Sequence, residues 1–234
     1  MKILAMDTSA KVASVSLVSD EKVLSEFNIN MNFTHSQTLM PMCEDMLKNC
    51  KVTLEDIDYF AVSNGPGSFT GLRIGISAIK GIAYALNKPC VEVSVLDALS
   101  VNVKDFDGII CAVMDARRLQ VYNALYKASN DSLTKLKDDR AVSIDDLYLD
   151  LKDFNEPIIL VGDGADLCYE SLKPKLLNLR LASVQNRYQR ASGVAMAAIE
   201  KIKVKKTVSA KELMPYYLRL PQAQRELMNK NKTK

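Results

Sequence analysis

The sequence predicts an α/β protein made of two copies of one unit, packed as two lobes. Three observations predict it. Hydrophobic periodicity lays out strand–strand–strand–helix–strand–helix–strand–helix twice along the 234 residues. The pair Met-Asp closes the first strand of each copy, at Met6-Asp7 and Met114-Asp115, and a tight turn and an alternating strand follow each time. A strand, a glycine loop and a helix recur at the same place, with Gly65 and Gly67 in one copy and Gly162 and Gly164 in the other.

Each element has its own warrant. Residues 3–6 form a short apolar run, a buried strand. Residues 12–18 alternate small polar and apolar side chains, and 23–29 continue as a third strand. A helix is expected over 36–48, then a strand over 57–62 that ends in the Gly/Pro loop 64–68. A helix over 70–86, a strand over 90–93 and a helix over 95–103 complete the copy. The second copy reads as strands 109–114, 119–126 and 133–137. A helix over 144–151 follows, opened by Ser143 as N-cap with Asp145 and Asp146 in its first turn. Strand 158–161, helix 165–172, strand 179–181 and helix 191–205 close the pattern. The expected units are residues 1–104, residues 105–220 and a basic, disordered tail over 221–234.

Composition narrows the chemistry. Apolar residues make up 48% of the chain and charged residues 25%, as in ordinary globular proteins. The net charge of +3 is unevenly spread: from Lys201 onward there are ten Lys/Arg and two acids, so the rest is mildly acidic. There is one histidine, His35, so a two-histidine zinc site is impossible, and any Ser-His or Cys-His mechanism would need that one ring. The five cysteines form no C-x-x-C pair and their number is odd. They read as reduced thiols of a cytoplasmic protein. Asp7 interrupts the N-terminal apolar run, which argues against a signal peptide, and no run approaches the ~18 residues of a membrane helix.

Several groupings could carry chemistry. Asp7-Thr8-Ser9, at the end of the first strand, suits either a phosphate-touching loop or a simple Asx turn. Residues 65–75 read GPGSFTGLRIG. Gly65 and Gly67 offer conformational freedom or close approach. Ser68 or Thr70 can cap the next helix, whose free N–H groups could hold an anion. A tight turn packed on a neighbouring helix explains the same letters. Gly162-Asp163-Gly164 has the same two readings. The helix over 70–86 carries an apolar arc of about 200°, and the helix over 36–48 one of about 160°, against the ~100° a single sheet contact needs. The second also carries Met40, Met42 and Met46, which suit an adaptable contact surface. Burial on two sides, by sheet and partner, is one explanation and a deep core helix the other. His35 in Thr34-His35-Ser36-Gln37 is a cap or a satisfied polar group unless ligands come from elsewhere. The basic end could meet phosphate backbone or simply be solvated.

The duplicated order resembles the actin and sugar-kinase class, in which nucleotide sits between the lobes. GPGSFTGLRIG and the small-residue helix after it closely resemble the signature of the TsaB (YeaZ) family, bacterial subunits of tRNA threonylcarbamoyladenosine biosynthesis. Residues 3–9 (ILAMDTS), His35-Ser36 with Leu39 and Pro41, Met114-Asp115-Ala116-Arg117, Gly162-Asp163-Gly164 and Pro215-Tyr-Tyr-Leu-Arg219 agree, so the resemblance runs to about residue 220. It implies a non-catalytic relative of TsaD, the subunit that transfers threonylcarbamoyl to the adenosine 3′ of the anticodon. TsaD-type proteins hold metal through His-x-x-x-His. Here the second position is Leu39, so no metal site is expected. The resemblance implies pairing through the two N-terminal helices, with TsaD or with a second copy. The surface expected to do this is His35, Leu39, Met40, Cys43, Leu47, Leu72, Ile76, Ile79 and Ala83. Further expectations are a TsaE-like ATPase partner, tRNA reached through the complex, and no tightly bound cofactor, with ATP or ADP at or near the partner interface. Asp7, Thr8, Ser9, Gly65, Gly67, Ser68, Thr70, Gly162 and Gly164 are the candidates for touching a nucleotide or anion. The alternatives are an ATP-binding actin-like phosphotransferase using Asp7 or Asp115, and a glycoprotease, which the missing metal pair opposes.

Overall fold

A computed structural model describes residues 1–31, 33–130 and 132–219; the expected tail over 221–234 lies outside them. The first lobe runs β1 (Lys2–Asp7), β2 (Ala13–Ser19), β3 (Lys22–Ile29), α1 (His35–Cys50), β4 (Tyr59–Gly65), α2 (Phe69–Ala85), β5 (Cys90–Ser94) and α3 (Val95–Val101). The second runs β6 (Gly108–Asp115), β7 (Gln120–Ser129), β8 (Ser132–Ser143), α4 (Ile144–Leu151), β9 (Ile158–Val161), α5 (Ala165–Leu172), β10 (Leu179–Leu181), α6 (Val184–Arg187) and α7 (Ala191–Lys203). The strand orders are β3-β2-β1-β4-β5 and its counterpart β8-β7-β6-β9-β10. In both sheets the three leading strands pair antiparallel and the later two add in parallel. This is the duplicated actin-like layout the sequence predicts.

Burial explains the central strands. Ile3, Leu4, Ala5 and Met6 are all fully buried because β1 is covered on both faces, so it reads as a continuous apolar run. β8 is an edge strand and runs six residues past the end of the expected 133–137. The strand is charged along its length: Lys135 pairs with Asp97 and Asp139, and Lys137 and Arg140 pair with Asp150. Backbone pairing to β7 holds it in the sheet without an apolar stripe, which is why periodicity stops short. The single-turn α6 was not expected; it has no buried residue to mark it.

The last helix ties the lobes together. α7 lays small residues, Ala191, Ala195 and Ala198, on Ile3, Ala5, Ala61, Val91 and Val93 of the first sheet. The unit expected over 105–220 therefore gives its last helix to the core of the other. α3 contributes Leu96 and Leu99 to a core shared with Ile110, Ala112 and Met114 of the second sheet. The two helices cross closely: a Cβ on Gly193 would lie 2.6 Å from the Ala98 carbonyl oxygen. The α7 N-terminus is held by the first lobe. Ala191 N–H donates to Ser14 Oγ (2.7 Å), Ser192 N–H donates to Glu26 Oε1 (2.8 Å), and Arg190 pairs with Glu26. Burial works against charge on Glu26, but Arg190 and the Ser192 donors outweigh it and hold the carboxyl below its ordinary value.

Candidate functional site

The β1–β2 turn and the glycine loop before α2 meet and interlock. Asp7 is fully buried. Its Oδ1 accepts from Ser9 N–H (2.8 Å) and Ser9 Oγ (2.7 Å), and its Oδ2 accepts from Ser63 Oγ at the end of β4. The Asx turn is therefore formed, and both carboxylate oxygens are occupied. Burial raises the Asp7 pKa, and the serine donors pull against that rise. Thr8 Oγ1 donates to the Gly71 carbonyl (2.7 Å) and Ser68 N–H donates to the Ser9 carbonyl (2.7 Å).

The glycines of the motif serve this interlock. Gly65 has φ +142°, and the space a Cβ would take there holds the Tyr216 carbonyl. At Gly67 that space holds the Ser9 carbonyl, at Gly71 the Thr8 carbonyl, and at Gly75 the Thr8 hydroxyl at 2.5 Å. Ser68 is the N-cap of α2, its Oγ accepting from Gly71 N–H, while Thr70 lies inside the helix with an exposed side chain. Gly162, at φ +114°, lies against the Val113 carbonyl, and Gly164 against Met114 and Asp115. In both lobes the loop glycines let one backbone approach another.

Between the two turns, on the second-lobe side, lies Asp163. Burial, with Asp115 and Asp7 adding repulsion, pushes its carboxyl up to about 6. Gln189 Nε2 donates to Asp163 Oδ1 (2.9 Å), and Gln189 Oε1 is buried with no partner among the described residues. Sequence reasoning passed over Asp163, Gln189 and Ser63. Asp163, between two glycines at a strand end, carried a signal; Gln189 and Ser63 carried none, because a polar residue in a connector or at a strand end is common.

His35 opens α1. Its Nε2 lies 2.8 Å from the Ala10 carbonyl, which can only accept, so the hydrogen sits on Nε2. The ring thus fastens α1 to the β1–β2 turn. Leu39 occupies the position four residues on and is buried.

The expected partner surface is corrected by the fold. Leu39, Cys43, Leu47, Leu72, Ile76, Ile79 and Ala83 are buried in the core of this chain itself, and Met40, 44% exposed, is the one large side chain of the set in solvent. The spacing 72, 76, 79, 83 marks the stripe of α2 that faces the sheet. Periodicity finds such a stripe but not what covers it. The excess arc is real and lies elsewhere: Ile74, Ala78 and Ile82 are half-buried. A groove of about 510 Å³ runs between α1 and α2, lined by His35, Met40, Phe69, Arg73, Ile74 and Ala78.

The segment after α7 returns across this site. Tyr216 N–H donates to the Asn64 carbonyl (2.7 Å). Tyr217 stacks on Phe69 at 4.3 Å and accepts from Arg73 Nε (2.9 Å). Arg219 reaches the second lobe, donating to the Ala116 carbonyl (3.0 Å) and to Gln120 Oε1 and lying over Tyr122. Residues 215–219 thus strap the glycine loop to the β6–β7 turn. The thiols are unpaired; burial pushes Cys43 and Cys90 up to about 11 and Cys168 to about 12, so these three are unreactive structural groups. Among the described residues no helix is long and apolar enough to cross a membrane.

Comparison with known proteins places this geometry. Residues 22–227 match the family model for TsaD, tRNA N6-adenosine threonylcarbamoyltransferase. The chain is 31% identical to the tRNA threonylcarbamoyladenosine biosynthesis protein TsaB of Bacillus subtilis strain 168, covering 99% of this chain and 100% of that one. It is 30% identical to TsaB of Escherichia coli strain K12, covering 98% and 100%. Among solved structures, YeaZ from Pseudomonas aeruginosa superposes with a TM-score of 0.79 at 26% identity, covering 93% of this chain and 99% of that one. With the duplicated fold, the interlocked glycine motif and full-length identity in agreement, the chain belongs to the TsaB (YeaZ) family.

Proposed function

We propose that this chain works in tRNA threonylcarbamoyladenosine biosynthesis as the non-catalytic, activating partner of a TsaD-type transferase. The observation that carries the reading is the use of the two loops that would serve catalysis. Asp7 has both oxygens taken by serine donors, and the loop glycines are filled by the chain's own backbone. The single histidine is fastened to a carbonyl, with Leu39 where a second ligand would stand. Such a chain contributes a surface rather than a reactive group.

That surface is the exposed side of α1 and α2, around Met40, Ile74, Ala78 and Ile82. It would receive the equivalent helices of the TsaD-type subunit, or of a second copy when that subunit is absent. A TsaE-like ATPase and tRNA would join through the complex, with ATP or ADP at or near the interface, in the cytoplasm. The test is reconstitution. The isolated chain should neither turn over ATP nor transfer threonylcarbamoyl. Transfer should appear once the TsaD-type subunit, the ATPase, tRNA and the threonylcarbamoyl adenylate are added, and Met40→Asp should abolish co-purification and transfer while leaving the melting curve unchanged. Transfer by the chain alone, lost with Asp7→Ala, would establish the phosphotransferase or transferase alternative instead.

A further inference from the structure

The cleft at the far end of α2 plays no part in that reading. It measures about 790 Å³, within the ~300–1,000 Å³ range of small-ligand pockets, and Tyr84, Asn87, Lys88, Thr207, Ser209 and Lys211 line it. One wall is the C-terminal end of α2. The other is the segment after α7, pinned by the Cys90–Val208 bridge, with N–H to carbonyl distances of 2.8 and 2.9 Å.

Two features of this wall are chemical. Tyr84 is 63% exposed although it lines a concavity, and the Lys211 ammonium lies over its ring, 5.8 Å from the centroid. That ammonium covers one side of an otherwise exposed aromatic residue. The cations around it have no carboxylate partner among the described residues. Lys88 Nζ donates to the Glu55 carbonyl, Lys80 Nζ to the Lys211 and Leu213 carbonyls, and Lys201 Nζ to the Glu92 carbonyl. Exposed Lys205 and Lys206 continue the row. The acids nearby, Glu55, Asp56, Glu92 and Glu212, keep their charge, and Asp56 feels that of Lys88, but the lysines Lys80, Lys88, Lys201, Lys205, Lys206 and Lys211 outnumber them. An excess of positive charge beside an exposed aromatic ring is the chemistry that holds single-stranded nucleic acid, phosphates on ammoniums and a base on the ring. A lipid surface would want the aromatic on a protrusion, and a phosphopeptide would not need the exposed ring.

We propose that this cleft holds an unpaired nucleotide of an RNA strand, its base on Tyr84 and its phosphates on Lys88 and Lys211, with Lys205 and Lys206 taking the neighbouring phosphates. The choice of RNA rests on the reading of the chain as a tRNA-modification subunit. The test is fluorescence anisotropy on the full chain, alone and with its TsaD-type partner, using a labelled unmodified tRNA transcript and a short labelled oligouridylate between about 50 and 200 mM salt. Tyr84→Ala should weaken binding of both probes by about 5- to 100-fold, and Tyr84→Phe should restore it. Lys88→Ala with Lys211→Ala should flatten the slope of log affinity against log salt by about 1.4 for the oligouridylate. Lys173→Ala, on the other lobe, should change neither. Wild-type affinity and slope in these variants, or no RNA binding by the wild type with or without its partner, would overturn the assignment. Saturation of the cleft by AMP that neither RNA displaces would make it a mononucleotide site and overturn it too. Reconstituted modification separates the two readings: a wild-type chain that supports transfer while the variants bind RNA normally removes this inference alone, and a wild-type chain that never supports transfer removes the functional reading.

Discussion

Two glycines on one helix should respond to the same substitution with opposite sign. A Cβ on Gly71 would lie 3.2 Å from the Thr8 carbonyl carbon, nearer still to its oxygen, and 3.4 Å from His35 Cδ2, where ordinary contact begins at 3.4 Å. The obstruction is backbone, so it cannot rotate away. Overpacking of this kind costs about 1–3 kcal/mol, and displacing the helix stretches the 2.7 Å Thr8–Gly71 bond, worth about 1 kcal/mol. Helix propensity returns about 1 kcal/mol. Gly71→Ala should therefore destabilise by about 1–3 kcal/mol. Gly81 lies in the same helix with nothing within 4 Å of the added carbon, so Gly81→Ala should stabilise by about 0.5–1 kcal/mol. For a chain of this length the midpoint should fall by about 2–12 °C in the first case and rise by about 1–4 °C in the second. Thermal and urea melts followed by far-UV circular dichroism read both, with the urea m-value checked for constancy. A Gly71→Ala chain as stable as the wild type, or a Gly81→Ala chain less stable, would refute the claim that the motif glycines serve backbone approach.

Further outcomes follow from the same contacts. Asp163 has a folded-state pKa of about 6 against an ordinary 3.8, so folding takes up a proton there and stability from this group is lost as pH rises from about 4 to about 6. Asp163→Asn should match the wild type near pH 4 and exceed it by about 1–3 kcal/mol at pH 7; equal urea midpoints at both pH values would contradict this. Arg219→Ala removes the strap's contacts with Ala116, Gln120 and Tyr122 and should cost about 1–2 kcal/mol, with faster limited proteolysis around residue 215. Unchanged proteolysis would show that the strap does not hold the lobes. Ile76→Asp buries an unpaired charge at a site 5% exposed and should leave no cooperative melt, whereas Met40→Asp should melt normally; an intact Ile76→Asp chain would mean that α2 faces the sheet differently.

The fold was legible because its two copies repeat a pattern that burial imposes. β1 is apolar throughout since it is covered twice, and α5 falls on the expected residues because Ala165, Cys168 and Leu172 form its one buried stripe. Where charge pairs replace burial, as in Lys135 with Asp139 on β8, periodicity has nothing to detect and the expected strand ends early. The crossing of α7 onto the first sheet was not legible either. Its alanines and Gly193 mark a close approach without naming the surface approached.

The site divides along the same line. Residue types at fixed spacing located the turns, since Asp7, Gly65 and Gly162 stand where each lobe's strands end. They did not say whether a loop glycine leaves room for a phosphate or for a carbonyl of the chain itself, because both demands select the absence of a Cβ. That choice is made by Tyr216, far along the chain from Gly65, and by the β1–β2 turn, neither of which is in the loop. The partner surface failed for a related reason. An arc of about 200° contains a sheet-facing stripe and a solvent-facing one, and a helical wheel has no mark for the boundary between them. The expected surface drew Leu72, Ile76 and Ile79 from that arc, and these belong to the sheet-facing stripe, while the isoleucines at 74 and 82 do not. A surface used by a transient partner is better sought among the members of the arc turned away from the sheet, here Ile74, Ala78 and Ile82 beside Met40, where solubility of the unpaired chain limits how apolar the face can be.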